Sequence, residues 1–242
     1  MNSANIVKSF RNFCKNHYNQ ENIAKYGRYF KGGFKGYGLT TVQLREQVKK
    51  YKIDKNIQIS TLLECAEQLI PSPYYEEPSF IMLLINEHRK EYTKSVFRKM
   101  EKWYKNSIYN WAHADIMGMF ILPNFLEKGL VTPADFRPWI KAKNSYQRRS
   151  VPVTFIKYLK ITENFAELFE ITEPLMRDNM REVQQGQGWF LREAWKKQPL
   201  LTEAFLLKWK DEAPRLTIQY ACEKMDKEYK KKFAKRRSGN RE

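Results

Sequence analysis

Ser60-Thr61-Leu62-Leu63-Glu64-Cys65-Ala66-Glu67-Gln68-Leu69-Ile70 sets its apolar side chains at 62, 63, 66, 69 and 70. That is the spacing of one face of an α-helix, not the alternation of a half-buried strand. Ser60 stands where an N-cap is expected, and Pro71 with Pro73 supplies the stop. The same period recurs in both directions along the chain. Upstream, Phe10, Phe13, Cys14 and His17 share a helical face; downstream, Phe80, Leu83, Leu84 and Glu87 do so, then Tyr92, Val96, Met100, Trp103 and Tyr104. The pattern predicts further helices over 107–121, 132–142, 145–159, 164–169, 173–183, 188–197, 202–209 and 213–224, with breaks at Pro78, Gly129, Pro133 and Pro199. About a dozen helices joined by short loops make an all-α protein.

Helix pairs of about 35 to 45 residues match the size of HEAT-like units, each too small to bury its own apolar face and therefore stacked on its neighbours. The expected architecture is a curved solenoid of antiparallel helix pairs with a concave basic groove. It forms one domain over 1–223, followed by a flexible basic tail over 224–242. The 242 residues hold 44 Lys+Arg against 27 Asp+Glu, a formal charge of +17. Nine basic and three acidic residues from Lys224 to Glu242 carry +6 of it, which leaves +11 on the body. Charge of this size draws polyanions, of which nucleic acid is the commonest in the cytosol. No run approaches the roughly 18 apolar residues of a membrane span, and Met1 to Asn16 is too polar for a signal peptide, so a soluble, cytoplasmic, monomeric protein is expected. Cys14, Cys65 and Cys222 are odd in number and widely spaced, which favours neither a disulfide framework nor a zinc site.

One stretch leaves the helical pattern: Gly27-Arg28-Tyr29-Phe30-Lys31-Gly32-Gly33-Phe34-Lys35-Gly36-Tyr37-Gly38, which contains five of the ten glycines. Lys31 and Lys35 alternate with aromatics there, as in nucleic-acid contacts, and the loop runs into a helix from Thr40 or Thr41 that carries Arg45, Lys49 and Lys50. Packing of the aromatics against the first helix pair is the other reading. In Asn110-Trp111-Ala112-His113-Ala114-Asp115, Trp111 and Asp115 are four apart and share a face. Asp is a poor mid-helix residue, so either a ligand or a local cap accounts for it. Arg148 and Arg149 lie near a helix start, where positive charge is unfavourable without a partner. Gly186 and Gly188 precede a helix that Trp189 is expected to open, projecting its indole or burying it. His113 lies off the Trp111–Asp115 face, and with only His17 and His88 besides it no metal cluster is expected.

Taken in order, Arg28-Tyr29, Trp111-x3-Asp115, Gln147-Arg148 and Gly188-Trp189-x-Leu191-Arg192-Glu193 resemble the AlkD-type DNA alkylation-repair glycosylases, over about residues 8 to 215. Those proteins are built of HEAT-like repeats and excise N3- and N7-alkylated purines. The resemblance implies Asp115 as the catalytic aspartate, Trp111, Trp189 and Tyr29 as substrate-binding aromatics, and Arg148 as a phosphate-binding arginine. Arg149, Arg192, Lys31, Lys35 and Arg45 are further candidate phosphate contacts. It implies double-stranded DNA carrying alkylated purines as partner, with neither cofactor nor metal. The sequence departs from the family's pattern in its Lys/Gly-rich loop and in a small length change between Asp115 and Arg148. The superfamily also holds members without glycosylase activity. Two rivals from other classes are therefore a non-catalytic HEAT-repeat protein that binds damaged or branched DNA, and a HEAT-type scaffold for a protein partner, against which the charge of the body speaks.

Overall fold

The computed structural model describes residues 1–54 and 56–235. Among these every regular element is helical, as the periodicity predicts, and no helix is long and apolar enough to cross a membrane. The chain forms two compact units, Met1–Phe125 and Leu126–Glu242.

The first unit contains α1 (Ser3–Asn16), α2 (Gln20–Gly27), α3 (Thr41–Lys52), α4 (Ile59–Leu69), α5 (Glu76–Glu87), α6 (Lys94–Asn106) and α7 (Trp111–Ile116), then a π-turn at Met117–Ile121 and the start of α8 (Leu122–Glu127). At its centre is α5, packed against α3, α4 and α7 and buried on every side from Glu76 to Met82. A helix apolar all round is a buried helix, and Pro78–Ile85 has that composition. Phe10 of α1 stacks on Phe80 at 3.8 Å between ring centres, with Tyr51 of α3 edge-on to it. Pro78 does not break this helix. It sits in the first turn, where its missing N–H costs nothing. Nor does Ser60 cap α4: the N-cap is Gln58, without a side-chain bond, and the Ile59 N–H is satisfied instead by the Glu91 carboxylate at 2.9 Å.

In the second unit, a 3-10 turn at Pro133–Phe136 leads to α9 (Arg137–Ile140), α10 (Ser145–Tyr158) and α11 (Phe165–Thr172), and a 3-10 turn at Glu173–Arg177 to α12 (Arg181–Trp195), α13 (Pro199–Trp209), α14 (Arg215–Ala221) and α15 (Lys227–Lys230). Alternate helices stack, α10 on α12 on α14, while Phe169 of α11 meets Phe205 of α13 at 5.0 Å. This is the packing order of a helix-pair solenoid.

Two expectations fail here. The helix predicted over 173–183 stops at Arg177, and α12 begins at Arg181 and runs straight through Gly186 and Gly188, so Trp189 lies mid-helix rather than opening it. The glycines serve close approach. A β-carbon on Gly188 would lie 2.4 Å from Tyr220 Cβ and 2.6 Å from the Thr217 carbonyl of α14, and one on Gly186 would lie 3.1 Å from Arg149 Cγ of α10. The tail boundary also moves. Residues 224–235 are built onto the unit: Phe233 and Met225 are buried, and Tyr229 donates its hydroxyl to Glu203 at 2.6 Å. The remainder of that predicted tail, 236–242, lies outside the described residues. Cys14, Cys65 and Cys222 are free thiols, all buried.

Candidate active site

The glycine-rich stretch is indeed a loop, and a buried acid holds it. Glu76, 1% exposed at the head of α5, accepts the backbone N–H groups of Tyr37 (2.9 Å), Gly38 (2.8 Å) and Leu39 (3.2 Å). Burial raises the pKa of this carboxyl, and the three N–H groups pull against that rise. Gly38 adopts φ +83°, with room for no side chain: a β-carbon would lie 2.2 Å from the Asn19 carbonyl. Beside Glu76, Glu77 accepts the Tyr37 hydroxyl at 2.8 Å and the Arg11 guanidinium at 2.8 Å. The chain leaves the loop through Thr40, which forms a capping box with Gln43 at the start of α3.

Asn110 opens α7 by accepting the His113 N–H at 2.9 Å, which makes Trp111 the first helical residue. His113 is buried with Nε2 3.0 Å from the Tyr75 carbonyl and 3.1 Å from Ser79 Oγ, and with Nδ1 2.8 Å from Asn110 Nδ2. A carbonyl only accepts, so the proton is on Nε2 and Nδ1 accepts from the amide. Burial depresses its pKa to about 4, and the ring is neutral. Asp115 follows Trp111 by one turn, is half-buried, and lies two residues before the π-turn, in which Leu122 N–H reaches back to the Met117 carbonyl. Such turns are frequent at functional sites.

Between the loop, α3, α5 and α7 lies a cavity of about 1030 Å³. Phe30, Phe34, Tyr75 and Trp111 form its aromatic wall, with Phe30 stacked near-parallel to Trp111 at 5.7 Å and edge-on to Tyr75 at 5.6 Å. Trp111 donates its indole N–H to the Tyr29 carbonyl at 3.3 Å, and both side chains are open to solvent, 41% and 66% exposed. Arg45 and Lys49 of α3 line the same cavity and make no ion pair among the described residues. Of the expected site residues, Tyr29, Trp111 and Arg45 therefore meet in one place, with Asp115 one helical turn away from Trp111. Lys31 and Lys35 are exposed on the loop, Lys35 over the Tyr74 ring at 4.8 Å.

The second unit holds the rest. Arg148 forms a two-point ion pair with Asp178 (Nε 2.6 Å, Nη2 3.2 Å) and donates Nη1 to the Ala142 and Lys143 carbonyls. Arg149 is buried and donates to the Glu182 carbonyl at 2.7 Å. The partner demanded by two arginines at a helix start is thus internal. Arg192 pairs with Glu193 and Glu223, and Trp189 is half-buried on α12. Glu76 and Glu77 were missed by sequence reasoning. The available signal was two adjacent acids heading an apolar run in a strongly basic chain.

The chain is similar in structure to a protein from Enterococcus faecalis described as a predicted DNA alkylation repair enzyme, with TM-score 0.76, 16% identity, and 86% of this chain and 97% of that one covered. It is also similar to smu.31 from Streptococcus mutans UA159 (TM-score 0.58, 20% identity, 85% and 98% covered) and to AlkD2 from Streptococcus mutans (TM-score 0.59, 20% identity, 84% and 99% covered). At these identities the likeness speaks for the fold. No curated protein matches the sequence. The model of the family described as DNA alkylation repair enzyme matches residues 13–225, most of the chain, and the protein belongs to that family.

Proposed function

We propose that the protein is a DNA glycosylase that hydrolyses the N-glycosidic bond of N3- or N7-alkylated purines in duplex DNA, acting as a cytoplasmic monomer without drawing the base into a pocket. The observation that carries this reading is the pairing on α7 of a solvent-open indole, Trp111, backed by Phe30 and bonded to the Tyr29 carbonyl, with a carboxylate one turn later, Asp115.

An N7- or N3-alkylpurine already carries positive charge, so its bond to C1′ breaks without an acid to protonate the base. The bonding electrons go to the purine ring and neutralise it, and the sugar is left as an oxocarbenium ion. Asp115 stabilises that cation electrostatically and orients a water, which adds to C1′ and loses its proton to solvent. Trp111 and Tyr29 offer ring faces to the cationic nucleotide, and the second unit offers Trp189 to the DNA. Arg45, Lys31 and Lys35 hold phosphates. Arg192 and Arg149 would contribute to the field around the backbone from within their own bonds. Arg148 would offer a phosphate its remaining Nη2 hydrogen, with its other donors engaged.

The test is release of 7-methylguanine or 3-methyladenine from methylated duplex by the purified protein under single-turnover conditions. Asp115→Asn keeps the shape and removes the charge, so release should fall by about 10²- to 10³-fold while duplex affinity holds. Near wild-type release by the variant would remove Asp115 from the mechanism. Tight binding without any release by the wild type would leave a non-catalytic protein for damaged or branched DNA.

A further inference from the structure

Glu76 plays no part in the chemistry above, yet it holds the loop that carries part of the site. Its carboxylate collects three consecutive loop N–H groups, from Tyr37, Gly38 and Leu39. The neighbouring Tyr75 N–H holds the loop again through the Lys35 carbonyl at 2.8 Å. On its other side Tyr75 holds α7: its carbonyl accepts from His113, and its ring stacks on the imidazole at 5.0 Å. One dipeptide therefore grips both pieces of chain that build the aromatic wall, the loop bearing Tyr29 and Phe30 and the helix bearing Trp111.

We propose that Glu76 is the positioning residue of this site: its buried carboxylate fixes the 28–39 loop so that Phe30 backs Trp111 and Tyr29 flanks it. The consequence for rate rests on the glycosylase reading; the geometric part does not. A carboxylate has acceptor lone pairs on both oxygens, so each of the three N–H groups meets an oxygen. A glutamine of the same size turns an NH₂ toward at least one of them, donor against donor. Charge and not bulk is what the loop requires.

The experiment uses full-length protein labelled with 5-fluorotryptophan. The fluorine resonance of Trp111 is identified by its loss in Trp111→Phe, and that of the buried Trp139 serves as an internal reference. In Glu76→Gln the Trp111 resonance should shift while Trp139 stays, and single-turnover base release at saturating enzyme should fall by at least about tenfold, the expected cost of a misplaced positioning group. Glu76→Asp keeps the charge with a shorter reach and should give an intermediate shift and rate; it carries the test if the glutamine variant does not fold. An unmoved Trp111 resonance in the folded variants overturns the proposal, as does a shifted resonance with an unchanged rate. If the wild type releases no alkylpurine while Glu76→Gln still displaces Trp111, the glycosylase reading falls and the positioning stands.

Discussion

Arg45 and Lys49 at the cavity of the first unit meet no acid among the described residues, whereas Arg148, Arg149 and Arg192 in the second unit are each held by carboxylates or carbonyls of their own chain. All five are cations in a protein of charge +17, and counting charge alone treats them alike. Their surroundings do not. A cation without a partner keeps its full field for a polyanion and contributes little to folding. One held in a half-buried ion pair directs much of that field to its own partner, and its loss leaves an acid uncompensated. Arg45 and Lys49 of the first unit thus keep their charge open to solvent, whereas Arg148, Arg149 and Arg192 of the second tie their helices to neighbouring chain.

The sharpest way to break this contrast is Arg148→Ala. Asp178 would be left nearly buried without its partner, and stability should drop by about 3 kcal/mol, read from urea unfolding. A variant that unfolds like the wild type but binds DNA more weakly would move Arg148 to the binding group. Second, His113 titrates near 4 when folded against about 6.5 when unfolded, so the unfolded chain takes up the proton first as pH falls. The stability tied to this ring is complete at neutral pH and is lost between about 6.5 and 4, amounting to about 3 kcal/mol. His113→Gln should flatten that part of the urea-midpoint profile. Third, Gly188→Ala improves helix propensity yet forces α12 from α14. A net loss of about 2 kcal/mol is expected, and a gain would mean the two helices yield easily. Last, Arg45→Ala should leave the melting temperature in place while the slope of log K against log salt for duplex binding falls by about one.

The helices were legible in the sequence because burial imposes the 3.6-residue period on residues close together in the chain. Their ends were legible only where the cap is local, as at Thr40, whose side chain binds Gln43 three residues on. Where the partner is distant the reading failed: Ile59 is capped by Glu91, and Gly188 answers to Tyr220. The candidate site divides the same way. Trp111 and Asp115 stand out as an unusual pair within one helix, and the loop announces itself by its glycines. Glu76 looks like any acid in a first helical turn until the fold brings Tyr37 to Leu39 over it. Phe233, near the end of a lysine-rich run, gave no sign that it would be buried.

The three thiols have a consequence of a different kind. Burial raises all of their pKa values, to about 11 for Cys65 and Cys222 and higher still for Cys14. At neutral pH a thiol of pKa 11 is ionised in only about one molecule in 10⁴, and the thiolate is the form that attacks carbon electrophiles. The reagents that alkylate purine nitrogens in DNA also alkylate sulfur. In a protein of an alkylation-repair family, thiols kept protonated and buried are slow targets for the reagents that create the family's work.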